Sequence, residues 1–318
     1  MKKIIKLMFV AIICFSVVSL TGCNNSKDSK LTIISTSFPG YDFARAITKD
    51  NKDVEVKMLL KPGAETHDFE PTPQDIKNIK NSDMFIYVGG DSDEWIDGVL
   101  KDINKDKTKI IKLMDLVNVV PEELVEGMEE HEHEHEHEEE EEVEYDEHVW
   151  TSPVNAITII NKLKEEIVKI DSTNKEKYEE NASSYVTELA NIDADIKNVV
   201  KNAKRKEVIF GDRFPLRYFV DQYNLSYYAA FPGCSEQTEA SAKTISFLID
   251  KVKKDKIPVV FHIELSNGNI AKAIASETGA KVLQFNAAHN ISQSDFDAGV
   301  TYASIMKDNI KVLKEALN

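Results

Sequence analysis

The sequence is short of cysteine, with three in 318 residues, at positions 14, 23 and 234. Cys14 falls inside an N-terminal targeting segment and Cys23 closes it, so Cys234 stands alone and no intrachain disulfide framework can form in the mature chain. In "FPGCSEQ" the Cys234 thiol reads first as a buried small hydrophobe and second as a metal ligand. Basic residues are also in deficit. There are 39 Lys and Arg against 55 Asp and Glu, a formal net charge of −16, which argues against nucleic acid as a partner. The only long apolar run, Leu7 to Leu20, is too short and wrongly flanked for a membrane span. The chain lacks a G-x-S-x-G motif and any evident pairing of nucleophile with base, which counts against a hydrolase.

What is present is unevenly placed. Between Glu129 and Glu147 there are 13 acidic residues and no Lys or Arg, so the remainder of the chain is close to neutral. Within that stretch, His131, His133, His135 and His137 alternate with glutamate. A charge run is ordinarily a solvated face. Histidine changes the reading, because neutral imidazole is the commonest protein ligand for transition metals. In extended chain the four imidazoles would share one side. In a helix the same letters match H-E-x-x-H twice, but a protease needs that motif on a packed helix, and this segment has nothing to pack. The stretch is read as a secondary, loose metal site, disordered without metal, with a solvated acidic tether as the plainer alternative.

Lys2, Lys3 and Lys6 precede the apolar run, which ends in Leu20-Thr21-Gly22-Cys23. This resembles a bacterial lipobox, which implies that residues 1–22 are removed, Cys23 carries lipid, and 23–30 form a linker. Two domains are the prior for this length. Apolar strands alternate with capped helices from Leu31 to about residue 150, and again from 206 to 318, the pattern of parallel α/β sheets. Residues 151–205 read as helices, including one long pattern from Asn174 to about Arg205 without Pro or Gly. "LTIISTSF" is expected as one strand, His262 as mid-strand, and the last helix as unbroken from about Asp295 to Leu317. Thr72-Pro73 with Asp75, and Ser152-Pro153, are helix starts.

Outside the acidic run the histidines are His67, His148, His262 and His289. Three of these fall in loops at strand or helix ends, where ligands bind in parallel α/β sheets. "HDFEPTP" and "DEHVWTSP" resemble the two metal-binding motifs of the zinc and manganese substrate-binding proteins of bacterial ABC transporters. Glu147 replaces the proline usual in the second. "GGDSDEWI" and "ELSNGNIAKAIASETGAKVL" resemble that family too, and the likeness covers nearly all of the mature chain. A His-rich loop just before the second motif is typical of its zinc-specific members.

The resemblance implies two parallel-sheet α/β domains joined by a long rigid helix, with metal in the interdomain cleft. It implies a monomeric, extracytoplasmic carrier, lipid-anchored to the outer face of the cell membrane, that delivers Zn2+ to an ABC permease. His67 and His148 carry over as ligands. The family's third position, early in the second domain, reads "FGDRFPLRYF" and offers no His, leaving Asp212 or a water. At the fourth, Asn286 is a poor anionic ligand and His289, three residues on, is its substitute. Glu264 is an outside candidate, and Asp146 and Glu70 are candidate partners of the imidazoles. Three imidazoles favour zinc over manganese. The rivals are the same fold carrying manganese, iron or nickel, and a zinc-dependent hydrolase.

Overall fold

Two four-stranded sheets are laid down one after the other. The computed structural model describes residues 30–64, 69–128, 143–235 and 239–318. The signal segment, Cys23, His67, His131, His133, His135 and His137 lie outside the described residues. The first lobe runs β1 (Leu31–Ser35), α1 (Phe38–Ile47), β2 (Val54–Met58), α2 (Pro73–Asn81), β3 (Met84–Tyr87), α3 (Trp95–Leu100) and β4 (Lys109–Lys112). Its strands are all parallel, in the order β2-β1-β3-β4. Two helices follow, α4 (Pro153–Ile170) and α5 (Lys175–Lys201). The second lobe runs β5 (Glu207–Phe214), α6 (Arg217–Tyr223), β6 (Ser226–Pro232), α7 (Ala242–Asp255), β7 (Val259–His262), α8 (Asn269–Thr278), β8 (Lys281–Gln284), α9 (Gln293–Asp297) and α10 (Tyr302–Ala316). Its parallel order, β6-β5-β7-β8, repeats that of the first.

The apolar runs are buried on both faces, as parallel strands between helices must be. In β1, Ile33 faces one core and Ile34 the other. In β5, Phe210 and Ile209 divide in the same way. The larger core is continuous through both lobes. Helix α5 supplies much of that continuity. Tyr178, Ala182, Tyr185, Leu189, Ile192, Ile196 and Val200 recur at three- and four-residue steps and are all buried. A buried carboxylate fastens it further. Asp42 of α1 accepts from the Tyr185 hydroxyl of α5 at 2.5 Å and from the Tyr302 backbone N–H of α10 at 2.9 Å. Residues 31–318 form one unit.

Most element starts follow the capping chemistry. Thr72 and Asp75 make a reciprocal capping box ahead of α2, and Ser152 accepts from the Asn155 N–H ahead of α4. Three expectations are corrected. The first strand stops at Ser35, because Pro39 sits in the opening turn of α1, where its fixed φ suits a helix start. His262 is the last residue of β7 rather than its middle. The last helix is two, since Gly299 takes φ +71° and Thr301 starts α10 with its own capping box.

Candidate metal centre

The two sheets present their carboxyl ends toward a common region, and loops from both supply it. His148 lies in the loop before α4 and is fully buried. Its backbone N–H donates to Asp146 Oδ1 at 2.8 Å, and its Nδ1 lies 3.2 Å from the same oxygen. That contact orients the ring and directs Nε2 to the other side, the usual arrangement for a ligating imidazole backed by a carboxylate. Burial opposes a charge on His148, but Asp146 and the neighbouring Glu147 and Glu122 outweigh it and raise the imidazole above its ordinary value.

His289 follows β8 and is 9% exposed. Its ring centre is 5.1 Å from that of His148, the two planes at 89°. Trp150 holds both. Its ring centre is 5.5 Å from His148 and 4.9 Å from His289, and its indole N–H donates to the Ala287 carbonyl at 2.8 Å. The Tyr302 hydroxyl donates to the Trp150 carbonyl at 2.7 Å. Gly233 closes another side. A Cβ there would stand 3.2 Å from His148 Cε1, tight enough that a larger residue would press on the ring.

Glu264 follows β7 and lines the same cavity, of about 30 Å³, as His148, His289, Arg213 and Ala64. Its Oε2 accepts from the Ala287 N–H at 2.6 Å and its Oε1 from the His289 N–H at 2.9 Å. Burial pushes this carboxyl up, and the two N–H bonds oppose that. Glu264 therefore fixes the backbone that carries His289. Asp212, on β5, is not among the residues lining the cavity. Its Oδ2 accepts from the Ile263 N–H at 3.3 Å and its Oδ1 from the Arg213 N–H at 2.9 Å. Asn286 is likewise engaged locally, its Oδ1 accepting from the Ala288 N–H at 2.7 Å. Glu70 is exposed. Among the described residues no three His, Cys, Asp or Glu side chains form a ready cluster for a metal ion.

The segment carrying His67 is bracketed by described residues on both sides. Ala64 lines the cavity of the paired histidines, and Phe69 lines a neighbouring one that His289 also borders. Asn290 connects the loops of the two lobes. It is 1% exposed, and its amide donates to the Lys61 carbonyl at 2.9 Å and the Ala64 carbonyl at 2.8 Å. Beside it, the Gly63 N–H donates to the Ile291 carbonyl at 2.7 Å. Sequence reading passed over Asn290, Trp150 and Gly233 because none ligates. Their one signal was position, each within three residues of a histidine or in a loop facing one.

Paired parallel lobes on a shared helix, with imidazoles at their junction, define a solute-binding protein of the kind that serves transporters. The chain belongs to the family described as "ZnuA: Zinc-uptake complex component A periplasmic", whose model matches residues 33–316. The high-affinity zinc uptake system protein ZnuA of Bacillus subtilis is 34% identical, over 98% of this chain and 97% of that one. The zinc-binding lipoprotein AdcA of Streptococcus pneumoniae is 31% identical over 93% of this chain, which spans only 58% of that longer protein. The Zn(II)-bound ZnuA-like domain of the same AdcA superposes with a TM-score of 0.73 at 28% identity, covering 91% of this chain and 99% of the domain. The family is a carrier component of uptake rather than an enzyme. Among the described residues no helix is long and apolar enough to cross a membrane.

Proposed function

We propose that this chain captures Zn2+ outside the membrane and hands it to an ABC permease, with His67, His148 and His289 as protein ligands. The 5.1 Å spacing of the His148 and His289 ring centres carries the reading. Two imidazoles bound to one tetrahedral ion at about 2.0–2.1 Å have ring centres roughly 5 Å apart. His67 is three residues from Ala64 and two from Phe69, both of which border cavities shared with His289. The separation in sequence is short on both sides. Asp212 is the weaker fourth ligand, because both its oxygens already accept backbone N–H groups. A water fits that position better and leaves the ion exchangeable, as a carrier requires.

The remaining assignments follow the same reading. Cys23 is the lipid anchor that keeps a monomeric carrier at the outer face of the membrane. His131, His133, His135 and His137 gather zinc loosely near the site. A zinc titration against a chromophoric chelator tests the core of this. Single replacement of His148 or His289 by Ala should raise the dissociation constant at least about a hundredfold, at the scale of losing one ligand bond. Tight binding that survives the loss of both would end the proposal.

A further inference from the structure

In an open parallel sheet, ligands bind beyond the carboxyl ends of the strands where the winding reverses. Each lobe has such a point, between β1 and β3 in the first and between β5 and β7 in the second. The cavity of the paired histidines belongs to the second, since Arg213 lies at the carboxyl end of β5 and Glu264 just beyond β7. A separate cavity lies beyond β1 and β3. Thr36, Ser37, Ser92, Asp93 and Glu147 line it, with His289 at its border.

We propose that this second cavity is a site for one hard divalent cation of the calcium class, held between the Asp93 and Glu147 carboxylates and the Thr36 and Ser37 hydroxyls. The hydroxyls point to a ligand independently of the acids. Thr36 is 7% exposed and Ser37 4%, and among the described residues neither Oγ1 of Thr36 nor Oγ of Ser37 has a hydrogen-bond partner. Buried hydroxyls without partners are rare and call for a bound group. Ser37 sits at the N-cap of α1 yet makes no cap bond, so it is not spent on the helix.

The carboxylates lie beside these hydroxyls in the cavity lining. Asp93 is 9% exposed and Glu147 1%. The Val88 and Gly89 N–H groups donate to Asp93 at 2.8 and 3.0 Å, and the Ser92 hydroxyl and N–H donate to Glu147. Burial pushes Asp93 up to about 6, against the pull of those two N–H bonds. Lys112 opposes that rise without cancelling it. The backbone has been shaped to admit Glu147. Gly90 takes φ +85°, and a Cβ there would lie 2.7 Å from Glu147 Oε2.

The cavity measures about 20 Å³, room for one water-sized particle. Among the described residues that line it, the polar donors other than His289 at the border are all oxygen. That set suits Ca2+, Mg2+ or Mn2+ better than zinc, which takes nitrogen and sulfur readily.

Crystals of the zinc-loaded full-length protein soaked in Mn2+, with data collected above the manganese edge and below the zinc edge, read the site directly. The expected result is an anomalous peak between Asp93 and Glu147, absent in Asp93→Asn. In solution, a chain lacking residues 129–142, which removes the acidic run as a competing sink, should bind one 45Ca2+. Asp93→Asn and, separately, Thr36→Val should weaken that binding at least tenfold and leave zinc affinity unchanged. A water without anomalous signal at the position, or no calcium bound by the shortened chain, overturns the proposal. Loss of zinc from the histidines with calcium still bound would tell against the zinc reading and support this one.

Discussion

Asn290 gives the sharpest test of how the metal centre is held. Its amide spans two carbonyls of the opposite lobe, Lys61 and Ala64, just ahead of the segment that carries His67. Its own Oδ1 accepts from the Ile291 N–H at 2.8 Å. Asn290→Ala removes all three contacts. A neutral hydrogen bond contributes about 0.5–1.5 kcal/mol net, and a buried acceptor left alone costs about 1–3 kcal/mol. Loss of the two bridging bonds should therefore cost about 2–3 kcal/mol. If those bonds hold the His67 segment in place before metal arrives, the variant must order it during binding. The zinc dissociation constant should then rise roughly 30- to 150-fold, at about 1.4 kcal/mol per factor of ten. Asn290→Asp should be worse, because it sets a carboxylate oxygen against a carbonyl. Chelator competition gives the affinity, and thermal melting of the metal-free protein shows that the variant is folded. A folded Asn290→Ala with zinc affinity within threefold of the parent would refute the reasoning.

Four further outcomes are expected. Glu264→Gln should weaken zinc by about tenfold without abolishing it, since one of the two oxygens that hold the Ala287 and His289 N–H groups becomes a donor; chelator competition reads it. Zinc affinity should fall with falling pH, and the fall should begin above the ordinary histidine value of about 6.5, because a raised His148 takes up protons sooner and only neutral imidazole ligates; titrations at pH 8, 7 and 6 measure it. Deleting residues 129–142 should leave the tight site intact and remove weaker ones, a change in stoichiometry rather than affinity by calorimetry. Asp93→Asn should stabilise the cation-free protein above pH 6 by up to about 3 kcal/mol, at about 1.4 kcal/mol per unit of pKa. The native carboxyl sits at about 6, above its unfolded value of 3.8, so ionisation disfavours the fold as pH rises between those values. The gain should vanish below pH 4 in denaturant melts.

The architecture was legible because its signals are local. Strands such as "MFIYVGG" and caps such as Thr72-Pro73 declare themselves within a few residues, and alternation of the two implies parallel sheets. Breaks were harder. Gly299 ends α9 through a positive φ that hydrophobic spacing does not register. At the proposed metal centre, His148 and His289 could be chosen because they occupy loops at element ends. Their approach to 5.1 Å depends on two sheets meeting, which no stretch of sequence records. Asp212 illustrates the converse. Its residue type suits a ligand, but whether an oxygen is available depends on the Ile263 N–H, fifty-one residues away. Asn290 acts by bridging two lobes, and an asparagine in a loop carries no mark of that.

Helix α5 is about 40 Å long at 1.5 Å per residue, and its buried stripe belongs to a core that both lobes share. Such a splint resists jackknifing of the whole body, because parting the lobes would tear open a single hydrophobic interior. Unloading cargo must then be a matter of peeling back the few residues around 61–64 and 287–291. A permease that grips only that lip could empty the carrier while the rest stays rigid.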